Sequence, residues 1–173
     1  IRPGIIVGDS RTGHYSKVDG PYYFMNSLKE KAPLLKLMPF IPLSYNPLTK
    51  IPLIPVDQCA RYFCDIISRD TFLPEMSTFH LVGHELPTIR EFLRDLNHVL
   101  GIRSSYFPVL RNPIHDMLLS LMGVPKELMP FMFSRITYDK TNVLKVVPEI
   151  AECQYSLYKD KIFSYLKDVS QIN

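Results

Sequence analysis

The sequence predicts an α+β fold, rich in helix and carrying two or three short strands. Three observations predict it. The opening β-branched run Ile5-Ile6-Val7 ends in the loop Gly8-Asp9-Ser10-Arg11-Thr12-Gly13, the pattern of a strand buried on both faces that delivers a polar loop at its end. Apolar residues then recur at helical spacing in several segments, most regularly from Ile89 to Leu100. Few further strand-like runs follow, and none at the regular spacing of a complete parallel sheet.

In chain order, Gly20-Pro21 opens a short aromatic-rich helix over Tyr22, Tyr23, Phe24 and Leu28. Residues 32–55 carry Pro33, Pro39, Pro42, Pro47, Pro52 and Pro55, a density that removes backbone donors and predicts a long irregular excursion without regular helix. A short strand pair is expected within it, around Leu37 to Ile41 and Lys50 to Ile54. Asp57 is expected to cap a helix running to about Ser68, with Ala60, Phe63, Cys64 and Ile67 on one face. A strand follows at Phe79 to Val82.

The clearest helix comes next. Thr88 and Glu91 form a capping-box pair, Ile89, Phe92, Leu93, Leu96, Val99 and Leu100 repeat at helical spacing, and Gly101 closes the helix with a left-handed turn. Its polar residues Arg90, Glu91, Arg94, Asp95 and His98 read as a solvated face with weak ion pairs. Asn112-Pro113 starts a further helix ending at Gly123, with Ile114, Met117, Leu118, Leu121 and Met122 inside. Pro125 and Pro130 bracket a short helical turn, Phe131 to Tyr138 is expected to be extended, and a last helix runs from about Pro148 to Val169.

Composition narrows the function classes. The chain has 173 residues, 46% hydrophobic and 21% charged, as expected of one globular unit. That unit is expected to comprise a strand and site loop at 1–13, the Pro-rich excursion at 32–55 and a helical part at 57–173. A net charge of +3, spread among alternating acids and bases, argues against nucleic acid. No apolar stretch approaches the ~18 residues of a membrane span and no charged-then-apolar leader opens the sequence, so a cytoplasmic location is expected. Cys59, Cys64 and Cys153 have no pairing pattern and read as reduced, structural thiols. His80 and His84 lack a third metal ligand in register, and His14 lies in the site loop.

Arg2-Pro3-Gly4 followed by Ile6-Val7-Gly8-Asp9-Ser10-Arg11-Thr12-Gly13 resembles the segment after the catalytic helix in extended short-chain dehydrogenase/reductases. The thioester reductase and fatty acyl-CoA reductase ("male sterility") branch is the most similar. Ile51-Pro52-Leu53-Ile54-Pro55-Val56-Asp57-Gln58-Cys59-Ala60 resembles that family's hydrophobic-Pro-Val-Asp step into a helix, and Thr78-Phe79-His80-Leu81-Val82 resembles its next strand. The resemblance reaches to about Leu100.

It implies a C-terminal substrate-binding part, partnered by an N-terminal nucleotide-binding half of the same protein. It also implies NADP or NAD as cofactor, with Pro3, Gly4, Ile5 and Ile6 passing the nicotinamide ring, and Gly8, Asp9, Ser10, Arg11 and Thr12 meeting substrate. The substrate class implied is an acyl thioester on coenzyme A or a carrier protein, reduced to an aldehyde, with the excursion at 32–55 helping to shape its cavity. Arg11 is a candidate anion or carbonyl contact, or else pairs with Asp9 or Asp19.

The family's remaining parts are not found. The seven glycines, at positions 4, 8, 13, 20, 83, 101 and 123, include no dinucleotide fingerprint, and no Tyr-x-x-x-Lys precedes the opening strand. Tyr155, Tyr158, Lys159 and Lys161 read as solvated helix residues and not as a Tyr and Lys stacked on one helix face. No catalytic residue is therefore expected in this chain, which is expected to be inactive alone. Two other classes remain: the corresponding part of a sugar-nucleotide epimerase or dehydratase, and a non-catalytic interaction domain. An unpartnered hydrophobic edge at Ile5 to Val7 would favour self-association.

Overall fold

The computed structural model describes residues 1–68, 77–108, 113–121 and 126–168. The fold is α+β and rich in helix, with short parallel strands. In order it comprises β1 (Arg2–Pro3), β2 (Ile5–Val7), α1 (Pro21–Leu35), β3 (Phe40–Leu43), β4 (Leu53–Pro55), α2 (Val56–Ser68), β5 (His80–Leu81) and α3 (Ile89–Leu100). These are followed by β6 (Ser105–Pro108), α4 (Pro113–Leu121), a 3-10 helix at Lys126–Phe133, α5 (Thr141–Val146), a second 3-10 helix at Pro148–Glu152 and α6 (Tyr155–Asp168). Among the described residues no helix is long and apolar enough to cross a membrane. The chain divides into two compact units, one of Ile1–Ser16, Ile51–Leu86 and Thr137–Ile162, the other of Lys17–Lys50, Pro87–Ile136 and Phe163–Asn173.

In the first unit the opening segment changes neighbour at Gly4. β1 pairs in parallel with β5, Arg2 opposite His80 and Pro3 opposite Leu81, while β2 pairs in parallel with β4, Ile5 opposite Leu53 through Val7 opposite Pro55. The Gly4 N–H donates to the Leu81 carbonyl at 2.8 Å and the Ile5 N–H to the Pro52 carbonyl at 2.7 Å. A Cβ at Gly4 would collide with the Pro52 carbonyl oxygen and reach 2.9 Å from a Val82 methyl, so only glycine fits where the three backbones converge. Parallel strands require a crossover, and α2 supplies it between β4 and β5, lying against β2, β4 and β5. Leu53, Ile54 and Leu81 are almost wholly buried in this layer.

Two sequence expectations for this unit are corrected. The strand Ile5 to Val7 is not buried on both faces: Val7 is buried, whereas Ile6 is 46% exposed. Helix α2 buries Cys59, Tyr62 and Ile66, not the stripe Ala60, Phe63, Cys64 and Ile67, of which Phe63 and Ile67 are 43% and 65% exposed. Both stripes have helical period, and the Tyr62 hydroxyl, which donates to the Glu149 carbonyl at 3.1 Å, selects the first.

The expected continuous helix from Pro148 to Val169 is broken. A 3-10 turn ends at Glu152, Cys153 is wholly buried, and α6 starts at Tyr155; Val169 lies outside the described residues. The break exposes the Cys153 carbonyl to the His84 N–H, which donates to it at 2.7 Å. An inter-segment bond thus replaces an intrahelical one.

In the second unit β3 pairs in parallel with β6, from Phe40 opposite Ser105 to Leu43 opposite Pro108. β3 and β4 do not pair with each other, so the strand pair expected inside residues 32–55 is corrected: each strand finds a distant partner. Nor is that stretch wholly irregular, because α1 continues through Pro33 to Leu35. Proline is tolerated there in the last turn, where its missing N–H costs a single intrahelical bond, while Met25, Leu28, Ala32 and Leu35 stay buried.

Helix α3 forms as its local signals require. Thr88 accepts from the Glu91 N–H at 3.2 Å, Glu91 accepts from the Thr88 N–H at 2.8 Å, and Gly101 adopts φ 67° with the Ile102 N–H reaching back to the Asn97 carbonyl. Phe92 packs edge-on against Phe163, ring centres 5.4 Å apart. Residues 126–133 form a 3-10 helix and 134–140 take no regular structure, so the extended segment expected over Phe131 to Tyr138 is not formed. The expected boundary residues Asn112, Gly123 and Pro125 lie outside the described residues.

The convergence at Gly4 yields a stability prediction. Gly4→Ala is expected to cost about 1–3 kcal/mol, the range for overpacking against atoms that cannot yield. The check is the urea unfolding midpoint, and an unchanged midpoint contradicts the packing at this position.

Candidate functional site

The carboxyl ends of parallel strands are where α/β layers expose backbone and loops to ligands. In the first unit β2 ends at Val7 and delivers Gly8–Thr12, and β4 ends at Pro55 and delivers the first turn of α2 with Asp57. β5 ends at Leu81, ahead of Gly83 and His84. A Cβ on Gly8 would collide with the Gly13 carbonyl oxygen, and Gly13 itself takes φ 75°, so both glycines are needed for the loop to reverse. The reversal is closed by the Asp9 N–H donating to the His14 carbonyl at 2.9 Å and the Gly13 N–H donating to the Asp9 carbonyl at 2.8 Å.

Asp9 organises the loop. Its Oδ1 accepts from the Arg11 N–H at 2.9 Å, the Thr12 N–H at 3.0 Å and the Thr12 hydroxyl at 3.1 Å, an Asx turn that holds the three residues in one conformation. The Arg11 backbone N–H, then that of Thr12, favour the ionised carboxylate and hold its pKa below the ordinary value. Arg11 also lies 3.8 Å from Asp9 Oδ2, while its side chain is 82% exposed. Asp19 pairs with Lys17 at 3.6 Å.

Ser10 ties the loop to α2. Its N–H donates to Asp57 Oδ1 at 2.8 Å and its hydroxyl to Asp57 Oδ2 at 2.6 Å, so both carboxylate oxygens are engaged by one residue. This corrects the reading of Asp57 as the helix cap. The helix starts one residue earlier, at Val56, and the carboxylate reaches across to the loop instead of back to its own backbone.

The five residues expected to meet substrate are therefore brought together in one pre-organised loop. Asp9, Ser10 and Thr12 spend their polar groups on loop geometry, and Arg11 presents its guanidinium outward. The residues expected beside a nicotinamide ring fit that group only in part. The backbone N–H groups of Gly4 and Ile5 are committed to the sheet and Pro3 has none, so none of these three offers a backbone donor to a ligand. Pro3 and Ile6 are exposed and apolar, which suits a wall for an aromatic ring and nothing more polar.

Other candidate residues resolve structurally. Cys59 and Cys153 are buried, and burial pushes the Cys153 thiol up to about 12 and raises that of Cys59, which removes thiolate character from both. His80 lies with Nδ1 3.0 Å from the Asp139 carbonyl and its ring edge-on to Tyr138. Among the described residues no group of three or more His, Cys, Asp or Glu could hold a metal ion. His14 is exposed at the end of the loop.

Tyr155 and Lys159 do stand four residues apart on α6, contrary to the sequence reading, and the Lys159 ammonium sits 5.7 Å from the centre of the Tyr155 ring. Both Tyr155 and Tyr158 are buried, not solvated. This pair follows the opening strand in sequence, whereas the family's catalytic pair precedes it.

One group was missed from sequence. Arg90, Arg94 and His98, read as a solvated face, line a concavity in the second unit together with Arg103. Their spacing of four residues, beside a separate acidic stripe of Glu91 and Asp95, is the signal that marks it. No protein-family model matches this chain, and no curated protein is significantly similar to it.

Two predictions test the loop. Ser10→Ala and Asp57→Asn are each expected to destabilise, and a double-mutant cycle should return a coupling of about 0.5–3 kcal/mol; additive effects would show that the clamp does not exist in solution. Because the folded-state pKa of Asp9 lies below its unfolded value of about 3.9, the Asx turn is fully present above that value and is lost as pH falls through the depressed one. The Thr12 amide chemical shift should titrate with its midpoint below the ordinary carboxyl value, and a midpoint at or above it contradicts the geometry.

Proposed function

We propose that the chain is the substrate-binding part of an NAD(P)-dependent reductase that acts on an acyl thioester of coenzyme A or a carrier protein. The observation that carries this reading is the parallel pairing of one strand, Arg2–Val7, with both Leu53–Pro55 and His80–Leu81. The three segments that resemble an extended short-chain reductase are the three that form this layer, and the Gly8–Thr12 loop leaves it at a carboxyl end, where ligands of such layers bind.

The Pro-rich stretch adds support of a different kind. Leu34, Leu37, Phe40 and Leu48 are each more than 60% exposed, apolar surface suited to an acyl chain or a pantetheine arm. A nicotinamide held beside these residues would supply a hydride to the thioester carbonyl carbon, and cleavage of the carbon–sulfur bond with uptake of one proton would give the aldehyde and the free thiol. This chain's share is positioning: Pro3 and Ile6 each offer exposed apolar surface, the clamped loop holds its backbone rigid, and Arg11 offers a cation to an anionic or carbonyl group. A cytoplasmic location accords with a nicotinamide-dependent role.

The test uses the protein expressed from its complete reading frame. NADPH or NADH oxidation should begin on addition of an acyl-CoA or acyl-carrier protein and release one thiol per cofactor consumed, and Arg11→Gln should raise KM more than it lowers kcat. Oxidation that is independent of thioester at every chain length overturns the reading, and turnover of a sugar nucleotide instead would assign the chain to the epimerase class.

A further inference from the structure

We infer that the cleft between α3 and the segment leading into β6 binds a small ligand through its phosphate groups. The cleft has a volume of about 450 Å³ and is lined by Arg90, Arg94, His98 and Arg103, with Tyr45 and Tyr106 among its walls. That volume lies within the range of small-molecule sites and accommodates a diphosphate or a mononucleotide.

The convergence of cations is built by the backbone. Arg90, Arg94 and His98 follow at intervals of four and therefore lie above one another on a single face of α3. Gly101 then turns the chain in the left-handed region, the Ile102 N–H closes onto the Asn97 carbonyl at 2.9 Å, and Arg103 is returned to the same concavity. The floor is fixed by buried polar groups. Asn97 Nδ2 donates to the Ser104 carbonyl at 3.0 Å, the Tyr106 hydroxyl donates to Asn97 Oδ1 at 2.9 Å, and the Ser104 hydroxyl donates to the Leu35 and Met38 carbonyls. Asn97 and Ser104 are 5% and 6% exposed, so this floor is rigid.

Simple solvation of a helix face does not explain the arrangement. No acidic residue lines the cleft. Arg94 alone has a carboxylate partner, its Nε and one Nη both 3.3 Å from Asp95 Oδ1, and neither Arg90 nor Arg103 forms an ion pair among the described residues. The helix dipole does not account for it either. A cation is favoured at the carboxyl end of a helix, where His98 lies, but Arg90 is the second residue of α3, where the dipole opposes it. Like charges gathered on one concave surface repel, and a multiply charged anion reverses that repulsion while the guanidinium forks match phosphate oxygens.

The inference is independent of the reductase reading: a protein that turns over no thioester can still bind phosphate here, and a reductase can lack this binding. Isothermal titration of the chain at low ionic strength tests it, with inorganic pyrophosphate, ADP and sulfate as probes. Saturable binding of pyrophosphate and ADP, exceeding that of sulfate, is expected. Arg94→Gln and Arg103→Gln should each weaken it about tenfold, the scale of one charge-assisted fork. Lys161→Gln, which removes the same charge from an exposed position elsewhere, should leave it unchanged. Tighter binding of ADP than of pyrophosphate identifies a nucleotide ligand, and equal affinity identifies the phosphates alone. No saturable binding, or equal weakening by Lys161→Gln, overturns the inference. The substituted arginines are exposed, so unchanged urea midpoints will separate lost binding from lost folding.

Discussion

The convergence of three backbones at Gly4 governs the first unit. A six-residue stretch satisfies its donors on two different strands because its neighbour changes where there is no side chain. Everything at the candidate site follows from that change. β2 lies alongside β4 and not β5, so its loop emerges beside the start of α2, and only there is Ser10 within reach of Asp57. The constraint is steric, not energetic in the usual sense of accumulated contacts: the Pro52 carbonyl occupies the volume that a side chain would need.

Legibility in the sequence followed the range of the forces involved. Helix α3 was readable from end to end because its start, period and stop are set by residues within a turn of each other: Thr88 with Glu91, the apolar repeat, and Gly101. The site loop was readable as a loop for the same reason, since Asp9 and its donors are neighbours in sequence. Helix α2 was located but its buried face was not, because two stripes of equal period compete and the choice is made by Glu149, far along the chain. Pro33 illustrates a local rule applied too strictly: the cost of proline falls near a helix end, where burial of Leu28, Ala32 and Leu35 offsets it. The pairing of β3 with β6 and of β4 with β2 could not be read locally, since each partner lies tens of residues away.

Charge serves two different purposes in the two units. Around Asp9 and Asp57 the carboxylates are consumed by nearby backbone and hydroxyl donors, and their work is to fix the geometry of a loop. On α3 the charges separate instead into adjacent stripes, acidic along Glu91 and Asp95 and basic along Arg90, Arg94 and His98, so that the basic one reaches a concave surface that no acidic residue lines, Arg94 alone keeping a carboxylate partner in Asp95. A net charge of +3 conceals this segregation, because what recognises an anion is the local arrangement and not the sum.

The parallel pairing of the opening strand also sets an order of assembly. Ile5 cannot be satisfied until Leu53 has been made, and Arg2 must wait for His80. Until then Arg2–Val7 is an unpaired hydrophobic segment, and closing such distant pairs is slow because chain entropy is lost before the contacts repay it. Helix α3, whose signals are all local, is free to form before the opening strand finds either partner. Arg2–Val7, although it precedes α3 in the chain, thus reaches its native surroundings after it.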